Sequence, residues 1–441
     1  MRLSKVAYIS KKFIILQGVT LKNFCQRATR RNLFHINSVK KMATGIIAEY
    51  NPLHAGHAYQ IAAAKKIRGG EVVAVMSGSF TQRGSPTILD KWTRARLAVL
   101  GGCDLVFELP FVSAVRSAQD FARGGIRLLE SLGIIDTLAF GAEVADLSKL
   151  KSAAAAFEEK FFATELRRLM SAGTSYAAAV TKILAQVTDS DEKLLRQPNT
   201  ILAIEYLRAL PEKISPLLIE RVGAPYDDLT LRENFSSASA IRAALYESQP
   251  PWEKIAAQVD VATLAALQTE KLSGLVDENF LLRPILAKLL TSRVDELKKI
   301  YGMTEGLEYR LLNATAAKTF SEFVTTLVGR RYTASRIRRL LLHVLLDVTA
   351  ADVAELDAAT CARVLAFNER GRALLKKISA PVVTKVTKHL NRRDLYERRR
   401  PLEAYQKILL LDVLATNLRG LLFETPRPPQ SDFSTPPLFV T

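Results

Sequence analysis

The segment that most constrains the fold of this chain is residues 45 to 57, GIIAEYNPLHAGH. An apolar run with strand character is stopped by Asn51 and Pro52, and the Ala-rich segment after His57 repeats at helical spacing. The segment therefore predicts a strand, a loop and the start of a helix. A helix N-terminus presents free N–H groups and partial positive charge, and Gly56 lets an anion approach the backbone closely. We predict a phosphate site at this turn.

Two histidines in this segment, His54 and His57, are the candidate catalytic residues. One lies in the loop and the other at the helix start, so both can donate hydrogen bonds to one phosphate as charge develops there. Two alternatives remain open, a pair of metal ligands and an incidental pair of loop histidines. Metal ligation usually needs a further His, Cys or carboxylate nearby, and only Glu49 qualifies.

Strand-like and helix-like segments alternate after Gly45. Further strands are predicted at residues 71–76, 105–109, 137–140 and 216–222, with helical stretches at 91–100 and 118–132. This alternation predicts an α/β fold with a parallel sheet covered on both faces, followed by a mainly helical region from about residue 239 to 417. Ligands of such sheets bind beyond the carboxyl ends of the strands.

The charge of the chain indicates a polyanionic partner. The 441 residues carry a formal net charge of +18, and about +8 remains when the acid-free segment 1–41 is set aside. Lys and Arg that neutralise phosphates attract nucleic acid regardless of its sequence, although a basic solvated surface without a ligand is the alternative. Cys25, Cys103 and Cys361 are scattered, which predicts neither disulfides nor a zinc site and suits the cytoplasm.

The basic segment 1–41 has three interpretations. Its composition resembles a transit peptide, it can serve as an RNA-binding arm, or translation begins at Met42, three residues before the first strand. We favour the third interpretation and expect the segment to lie outside the fold. No apolar run in the chain approaches the length of a membrane span.

The ordered motifs resemble the bacterial tRNA(Met) cytidine acetate ligase family, within the His-x-Gly-His nucleotidyltransferase superfamily. Beyond residues 45–57, the resemblance is carried by residues 76–84 (MSGSFTQRG), 90–95 (DKWTRA), 107–110 (FELP), 140–143 (FGAE), 197–202 (QPNTIL) and 236–242 (SSASAIR). It implies a Rossmann-like nucleotidyltransferase domain followed by a mainly helical tRNA-binding domain. We place the boundary at the proline pair 250–251, after the last motif, which gives domains over 42–249 and 250–425. The tail 426–441 is rich in proline with little periodicity, and we expect it to be irregular. Departures from the family pattern are Leu53, Ala55, Ser79, Thr81 and Thr200.

The resemblance also implies which residues contact ATP. They are Ile46, Ile47, Ala48, Glu49, Tyr50, Asn51, His54, Gly56, His57, Gly141, Asn199, Arg221, Val222, Ser239 and Arg242. From the residues alone, Asn199 is better explained as a helix N-cap than as a ligand contact, although the two roles do not exclude each other. Ser239 is equally well explained as an N-cap and Gly141 as a turn, and a surface arginine is the alternative for Arg221. The chain has no P-loop that would bind ATP instead.

Several basic clusters are candidate RNA contacts. They comprise Lys91 and Arg94 beside Trp92, then Arg330, Arg331, Arg336, Arg338 and Arg339, and finally Arg392 and Arg393 with residues 398–400. Arginine with interleaved Tyr or His can pair with phosphates and stack on unpaired bases, whereas a solvated helix face is the alternative for each cluster.

The resemblance implies an ATP-dependent ligase. Acetate would attack the α-phosphate of ATP to give acetyl-adenylate and pyrophosphate, and N4 of the wobble cytidine of elongator tRNA(Met) would then take the acetyl group. Magnesium is implied by triphosphate chemistry, with ligands that we do not identify, and no membrane or stable protein partner is implied. The alternatives are a small-molecule adenylyltransferase acting on a cofactor precursor and a non-catalytic RNA-binding protein.

Overall fold

The computed structural model of the protein describes residues 42–221, 230–232, 235–304, 306–397 and 400–441. The predicted extension 1–41 lies outside the described residues. The strands are β1 (Ala43–Ala48), β2 (Val72–Ser77), β3 (Leu105–Leu109), β4 (Ile135–Ala142), β5 (Ser215–Glu220), β6 (Ala362–Phe367), β7 (Val382–Val383) and β8 (Leu438–Phe439).

The helices lie between and after these strands. The first group is α1 (Ala55–Arg68), α2 (Lys91–Leu100), α3 (Phe111–Ala114), α4 (Ala118–Ser131), α5 (Leu147–Ala156), α6 (Lys160–Ser171), α7 (Tyr176–Thr188), α8 (Glu192–Leu195) and α9 (Pro198–Ala209). The second group is α10 (Ala238–Tyr246), α11 (Trp252–Ala256), α12 (Val261–Leu272), α13 (Leu282–Thr291), α14 (Val294–Leu297), α15 (Leu307–Asn313), α16 (Phe320–Leu327), α17 (Ala334–Leu345), α18 (Ala350–Leu356), α19 (Glu369–Leu375), α20 (Ala404–Gly420) and α21 (Ser431–Ser434). Short 3₁₀ helices cover Glu278–Leu281, Val386–Lys388 and Arg392–Leu395.

Five parallel strands in the order β5-β4-β1-β2-β3 form the centre of the sheet, which confirms the predicted α/β fold. The chain runs from β1 outward through β2 to β3 and then returns to place β4 on the other side of β1. The direction of strand order therefore reverses between β1 and β4. In open α/β sheets, a ligand crevice forms beyond the carboxyl ends of the strands at such a reversal.

Both faces of the sheet are covered by apolar side chains. In β1, Ile46 belongs to one hydrophobic cluster and Ile47 to the cluster on the opposite face. Helix α4 packs so closely on this strand that a Cβ atom added at Gly125 would lie 2.7 Å from Cδ1 of Ile47. This two-sided burial explains why the strands read as continuous apolar runs.

The C-terminal region contributes to the same sheet, which the sequence did not predict. Strand β6 pairs antiparallel with β3, and both β7 and β8 pair with β6. Residues 42 to 441 form one compact unit, so the boundary expected near residue 250 does not separate two compact units. The tail 426–441 was predicted to be irregular, and this was wrong for the part that forms α21 and β8.

No helix among the described residues has the length and apolar character needed to cross a membrane.

Candidate active site

A cavity of about 370 Å³ lies at the carboxyl ends of the central strands, at the reversal of strand order. Most of the residues predicted to bind ATP line it, namely Ile47, Ala48, Glu49, Tyr50, Asn51, His54, Gly56, His57, Gly141, Asn199, Arg221 and Arg242. Ile46 does not, because its side chain is fully buried in the core on one face of the sheet. Val222 lies outside the described residues.

The two histidines lie at the start of α1 with their rings in contact. His54 is the N-cap residue, and its Nδ1 accepts a hydrogen bond from the backbone N–H of Gly56 at 3.1 Å. The backbone N–H of His54 in turn approaches Nδ1 of His57 at 3.4 Å, and the ring centroids are 3.9 Å apart. Because each Nδ1 faces a backbone donor, the proton of each neutral ring lies on Nε2. Both rings are therefore Nε2–H donors.

The electrostatic surroundings keep both histidines neutral. Burial, followed by repulsion from Arg221 and Arg242, lowers the pKa of His54 to about 3. Burial, the neighbouring His54 and Arg221 lower the pKa of His57 well below its ordinary value. A neutral ring can donate a hydrogen bond to an anion through its Nε2–H group. The positive charge that would attract an anion comes from the arginines around the cavity.

Glu49 ties the end of β1 to the loop that follows β2. Its Oε1 atom accepts a hydrogen bond from the backbone N–H of Gln82 at 2.6 Å. The side-chain amide of Gln82 donates to the carbonyl of Arg116 at 2.7 Å, which joins this loop to the segment before α4. Gln82 and Arg83 both line the cavity, and our site prediction missed them although they lie in the motif at 76–84.

Lys91 and Arg94 were predicted as RNA contacts, and the structure contradicts this prediction because both are buried. Arg94 donates to the backbone carbonyl of Glu49 at 2.7 Å and to that of Ser77 at 3.0 Å. It therefore links the carboxyl ends of β1 and β2. Lys91 Nζ lies 2.8 Å from Oε1 of Glu108 in β3. These residues hold the cavity wall in place and do not present a surface.

Glu143, at the end of β4, organises the opposite wall. Its Oε1 accepts from Nδ2 of Asn199 at 2.7 Å and lies 3.7 Å from Nε of Arg221, while its Oε2 accepts from the backbone N–H of Thr200 at 2.8 Å. Asn199 is not the N-cap of α9, since Gln197 holds that position. A Cβ atom at Gly141 would lie 2.9 Å from Cγ of Arg221, so glycine leaves room for that arginine.

The motif at 236–242 forms the start of α10. Ser237 is the N-cap residue, with its Oγ accepting from the N–H of Ala240 at 3.0 Å, so Ser239 is not the cap. Ser239 is not on the cavity wall but accepts a bond from Nη2 of Arg242 at 3.1 Å. Arg242 also donates to the carbonyl of Asn51 at 2.7 Å, which positions its guanidinium beside the loop after β1.

Aromatic residues and a further arginine also line the cavity, and our site prediction missed them. Phe121, Phe140 and Tyr206 line one side, and the rings of Phe140 and Tyr206 have centroids 5.9 Å apart. Arg196 lines the cavity just before α9. Phe140 opens the motif at 140–143, whereas Phe121, Arg196 and Tyr206 belong to no local motif and reach the cavity only when α4, β4 and α9 pack together.

The arginines around α17 form a partly exposed basic surface. Arg330 and Arg331 are exposed, and the guanidinium groups of Arg310 and Arg336 lie 5.3 and 4.9 Å from the ring centroid of Tyr332. We name Arg310, Arg330, Arg331, Arg336 and Tyr332 the α17 basic surface.

Two other arginines of this cluster face the protein. Arg339 donates to the carbonyl of Gln82 at 3.2 Å, and Arg338 pairs with Glu278 at 3.3 Å. Through Arg339, the α17 basic surface is joined to the loop that lines the cavity. Arg392 and Arg393 are exposed in the 3₁₀ helix at 392–395, and residues 398 and 399 lie outside the described part of the chain.

Comparisons with known proteins identify the family of the chain. Residues 41–432 match the model of the HIGH Nucleotidyl Transferase family. A parallel sheet that carries paired histidines at its crevice, at the start of the helix after β1, defines a protein of that class.

Within this class the chain belongs to the tRNA(Met) cytidine acetate ligase family. It is 38% identical over 361 residues to the protein of that name from Thermoanaerobacter sp. (strain X514), with 78% of this chain and 89% of the relative covered. It is 36% identical over 413 residues to the one from Syntrophomonas wolfei, with 89% and 98% covered.

Solved structures extend the similarity to the whole fold. A crystal structure of Thermotoga maritima TmcAL in its apo form superposes with a TM-score of 0.81 at 30% identity, covering 90% of this chain and 99% of that one. A second crystal structure of the same protein, bound with alpha-thio ATP, gives a TM-score of 0.79 at 29% identity with the same coverage.

In the part of the chain that the structure describes, no group of three or more His, Cys, Asp or Glu residues could hold a metal ion. The alternative that His54 and His57 form a metal site with Glu49 therefore finds no support.

Proposed function

We propose that the protein is an ATP-dependent ligase that activates acetate as acetyl-adenylate and transfers the acetyl group to N4 of the wobble cytidine of elongator tRNA(Met). The observation that carries the first half is the pair of neutral Nε2–H donors at the start of α1, flanked by Arg221 and Arg242. Donors fixed before the reaction stabilise charge that develops on an α-phosphate without reorganisation.

In the first step an acetate oxygen attacks the α-phosphorus and pyrophosphate leaves. The start of α1 and the two histidines would contact the reacting phosphate. Arg242, held by the carbonyl of Asn51, would offset charge on the departing phosphates. The aromatic side of the cavity, with Phe140 and Tyr206, offers an apolar wall for the adenine ring.

Magnesium would accompany the triphosphate. It would offset charge on the phosphate oxygens.

The α17 basic surface supports the assignment of tRNA as the acceptor. The exposed guanidinium groups of Arg330 and Arg331 can pair with phosphates. Tyr332, with Arg336 over its ring, can stack on an unpaired base. Arg339, on the same helix as Arg336, contacts Gln82 of the cavity wall, which supports tRNA binding next to the site of chemistry. A small acceptor would need no such surface.

The test is an ATP–pyrophosphate exchange assay with acetate present or omitted, followed by addition of tRNA and labelled acetate. We expect exchange to require acetate and label to pass to elongator tRNA(Met). Exchange that is absent with acetate but restored by a phosphorylated small molecule would instead identify a cofactor adenylyltransferase.

A further inference from the structure

The second half of the proposed reaction releases a proton, and the following inference rests on that proposed function. A bond forms between N4 of cytidine and the acetyl carbon, and the bond from that carbon to the phosphate oxygen of AMP breaks. AMP leaves with the electron pair, and N4 loses one hydrogen as a proton. A group in the cavity that can accept a proton would speed this step.

Neither histidine is available as that acceptor. Their Nδ1 atoms face the backbone N–H groups of Gly56 and His54, so the proton of each neutral ring lies on Nε2. An Nε2–H group donates and cannot take a further proton without the ring becoming cationic. Burial and the arginines around the cavity oppose that charge.

Carboxylates are the remaining candidates for the proton acceptor. Among the described residues that line the cavity, the carboxylates are Glu49 and Glu220. Glu220 is exposed at the end of β5. Glu49 is partly buried directly after β1, in the same turn as the histidines.

We propose that Glu49 accepts the proton from the cytidine amine during acetyl transfer. Its Oε1 atom is occupied by the N–H of Gln82, and its Oε2 atom forms no hydrogen bond to any of the described residues. A carboxylate held by one oxygen keeps its direction, and the other oxygen stays open to the cavity.

The groups around Glu49 adjust its proton affinity from several sides. Burial raises its pKa, and the hydrogen bond from Gln82 and the charges of Arg242, Arg83 and Arg94 oppose this rise. Tyr206 of α9 also faces Glu49, and burial together with that carboxylate raises the pKa of its hydroxyl. A raised pKa brings a carboxylate closer to the range in which general bases work.

Glu49 also has a structural contact, and the test must separate the two roles. Gln at this position can still accept the hydrogen bond from Gln82 through its amide oxygen but cannot accept a proton. Asp keeps the proton acceptor but is one methylene shorter, so it weakens the contact with Gln82. The two roles therefore predict opposite orders for the variants Glu49→Gln and Glu49→Asp.

The experiment measures both half-reactions for the full chain. Acetate-dependent ATP–pyrophosphate exchange reports the first, and single-turnover transfer of labelled acetyl from preformed acetyl-adenylate to tRNA reports the second. We expect Glu49→Gln to lose transfer from preformed acetyl-adenylate by about 100-fold or more, in the range of general-base effects. Because Glu49 also lines the ATP cavity, the exchange assay measures any effect on the first half-reaction separately. Glu49→Asp should transfer faster than Glu49→Gln. The rise of the wild-type transfer rate with pH should be absent in Glu49→Gln.

Three results would overturn the inference. Transfer by Glu49→Gln at the wild-type rate would remove the proton-acceptor role, and transfer faster in Gln than in Asp would assign the residue to holding the loop. Loss of transfer in Glu220→Gln, with Glu49→Gln unaffected, would move the role to β5. If wild-type protein itself failed to label tRNA, the proposed function would fail instead, which keeps the two conclusions distinguishable.

Discussion

A buried cluster of five charged side chains allows a quantitative test of how the C-terminal tail is held. Nζ of Lys91 lies 2.6 Å from Oδ1 of Asp432 in α21 and 2.8 Å from Oε1 of Glu108. Arg363 of β6 also contacts Asp432 and lies 3.2 Å from Oε2 of Glu108. Asp412 of α20 completes the cluster, and its Oδ1 accepts a hydrogen bond from the N–H of Phe111 at 2.7 Å.

The two aspartates of this cluster differ in protonation. Burial alone would raise the pKa of Asp432, but Lys91 and Arg363 outweigh it and hold that pKa below its ordinary value. Burial and the charge of Glu108 raise the pKa of Asp412 well above its ordinary value. Asp432 therefore carries its charge between Lys91 and Arg363, whereas Asp412 is held in its neutral form.

We therefore predict opposite outcomes for two substitutions of the same size. Asp432→Asn leaves two buried cations facing one carboxylate and should lower the free energy of unfolding by about 3 to 5 kcal/mol, the cost of breaking a buried ion pair. Asp412→Asn replaces a neutral carboxylic acid by a neutral amide that can still accept from Phe111. It should change the free energy of unfolding by no more than about 1 kcal/mol, the net contribution of one hydrogen bond.

Urea unfolding at pH 7, followed by circular dichroism, measures both values. Asp295→Asn serves as a control, since this carboxylate pairs with Arg293 on the surface and its loss should leave the midpoint unchanged. A loss of stability in Asp412→Asn as large as in Asp432→Asn would refute the assigned protonation states.

The pH dependence provides a second check with a defined sign. Because the pKa of Asp432 is lowered on folding, its contribution is complete above the unfolded value of about 3.9 and is lost as pH falls through the folded value. Because the pKa of Asp412 is raised, it makes stability fall as pH rises from about 3.9 toward its folded value. That fall should be absent in Asp412→Asn.

Three further variants have defined expected outcomes. His57→Ala should reduce ATP–pyrophosphate exchange by about 100-fold or more because it removes a fixed donor to the reacting phosphate, and unchanged exchange would exclude the residue from the mechanism. The same variant should flatten the loss of stability below about pH 6.5, since the lowered pKa of His57 makes the unfolded chain bind more protons there. Gly141→Ala should raise the KM for ATP, because the new Cβ lies 2.9 Å from Cγ of Arg221, while an unaltered KM would show that Arg221 does not contact ATP. Charge reversal at both Arg331 and Arg336 should raise the KM for tRNA and leave exchange unchanged, and an equal KM for tRNA would place its binding elsewhere.

Local patterns in the sequence predicted the centre of the site. Three features depend only on neighbours in the chain, namely the apolar run of β1, its end at Asn51 and Pro52, and the start of α1. The spacing of apolar residues and the turn preferences of Asn and Pro were therefore sufficient to predict them. His54 and His57 lie in the cavity because this strand–loop–helix unit brings them there.

Predictions that depended on partners distant in the chain were the ones that failed. Lys91 was predicted to contact RNA, yet it is buried because Glu108 and Asp432 face it, the latter 341 residues away. Strand β6 was not predicted because its ladder partner, β3, lies in the first half of the chain. The start of α10 was also misplaced by two residues, because Ser237 is its N-cap where Ser239 was the candidate.

The sequence by itself determined the α/β class and the position of the predicted phosphate-binding turn, because these follow from short-range periodicity and backbone chemistry. The reversal of strand order was decided by the fold. Tertiary structure decided which charges are buried, which aromatic residues wall the cavity and how the C-terminal tail joins the sheet. These features depend on pairs of side chains that meet only after folding. Burial changes the electrostatic energy of these side chains, and a local sequence pattern does not indicate which side chains will be buried.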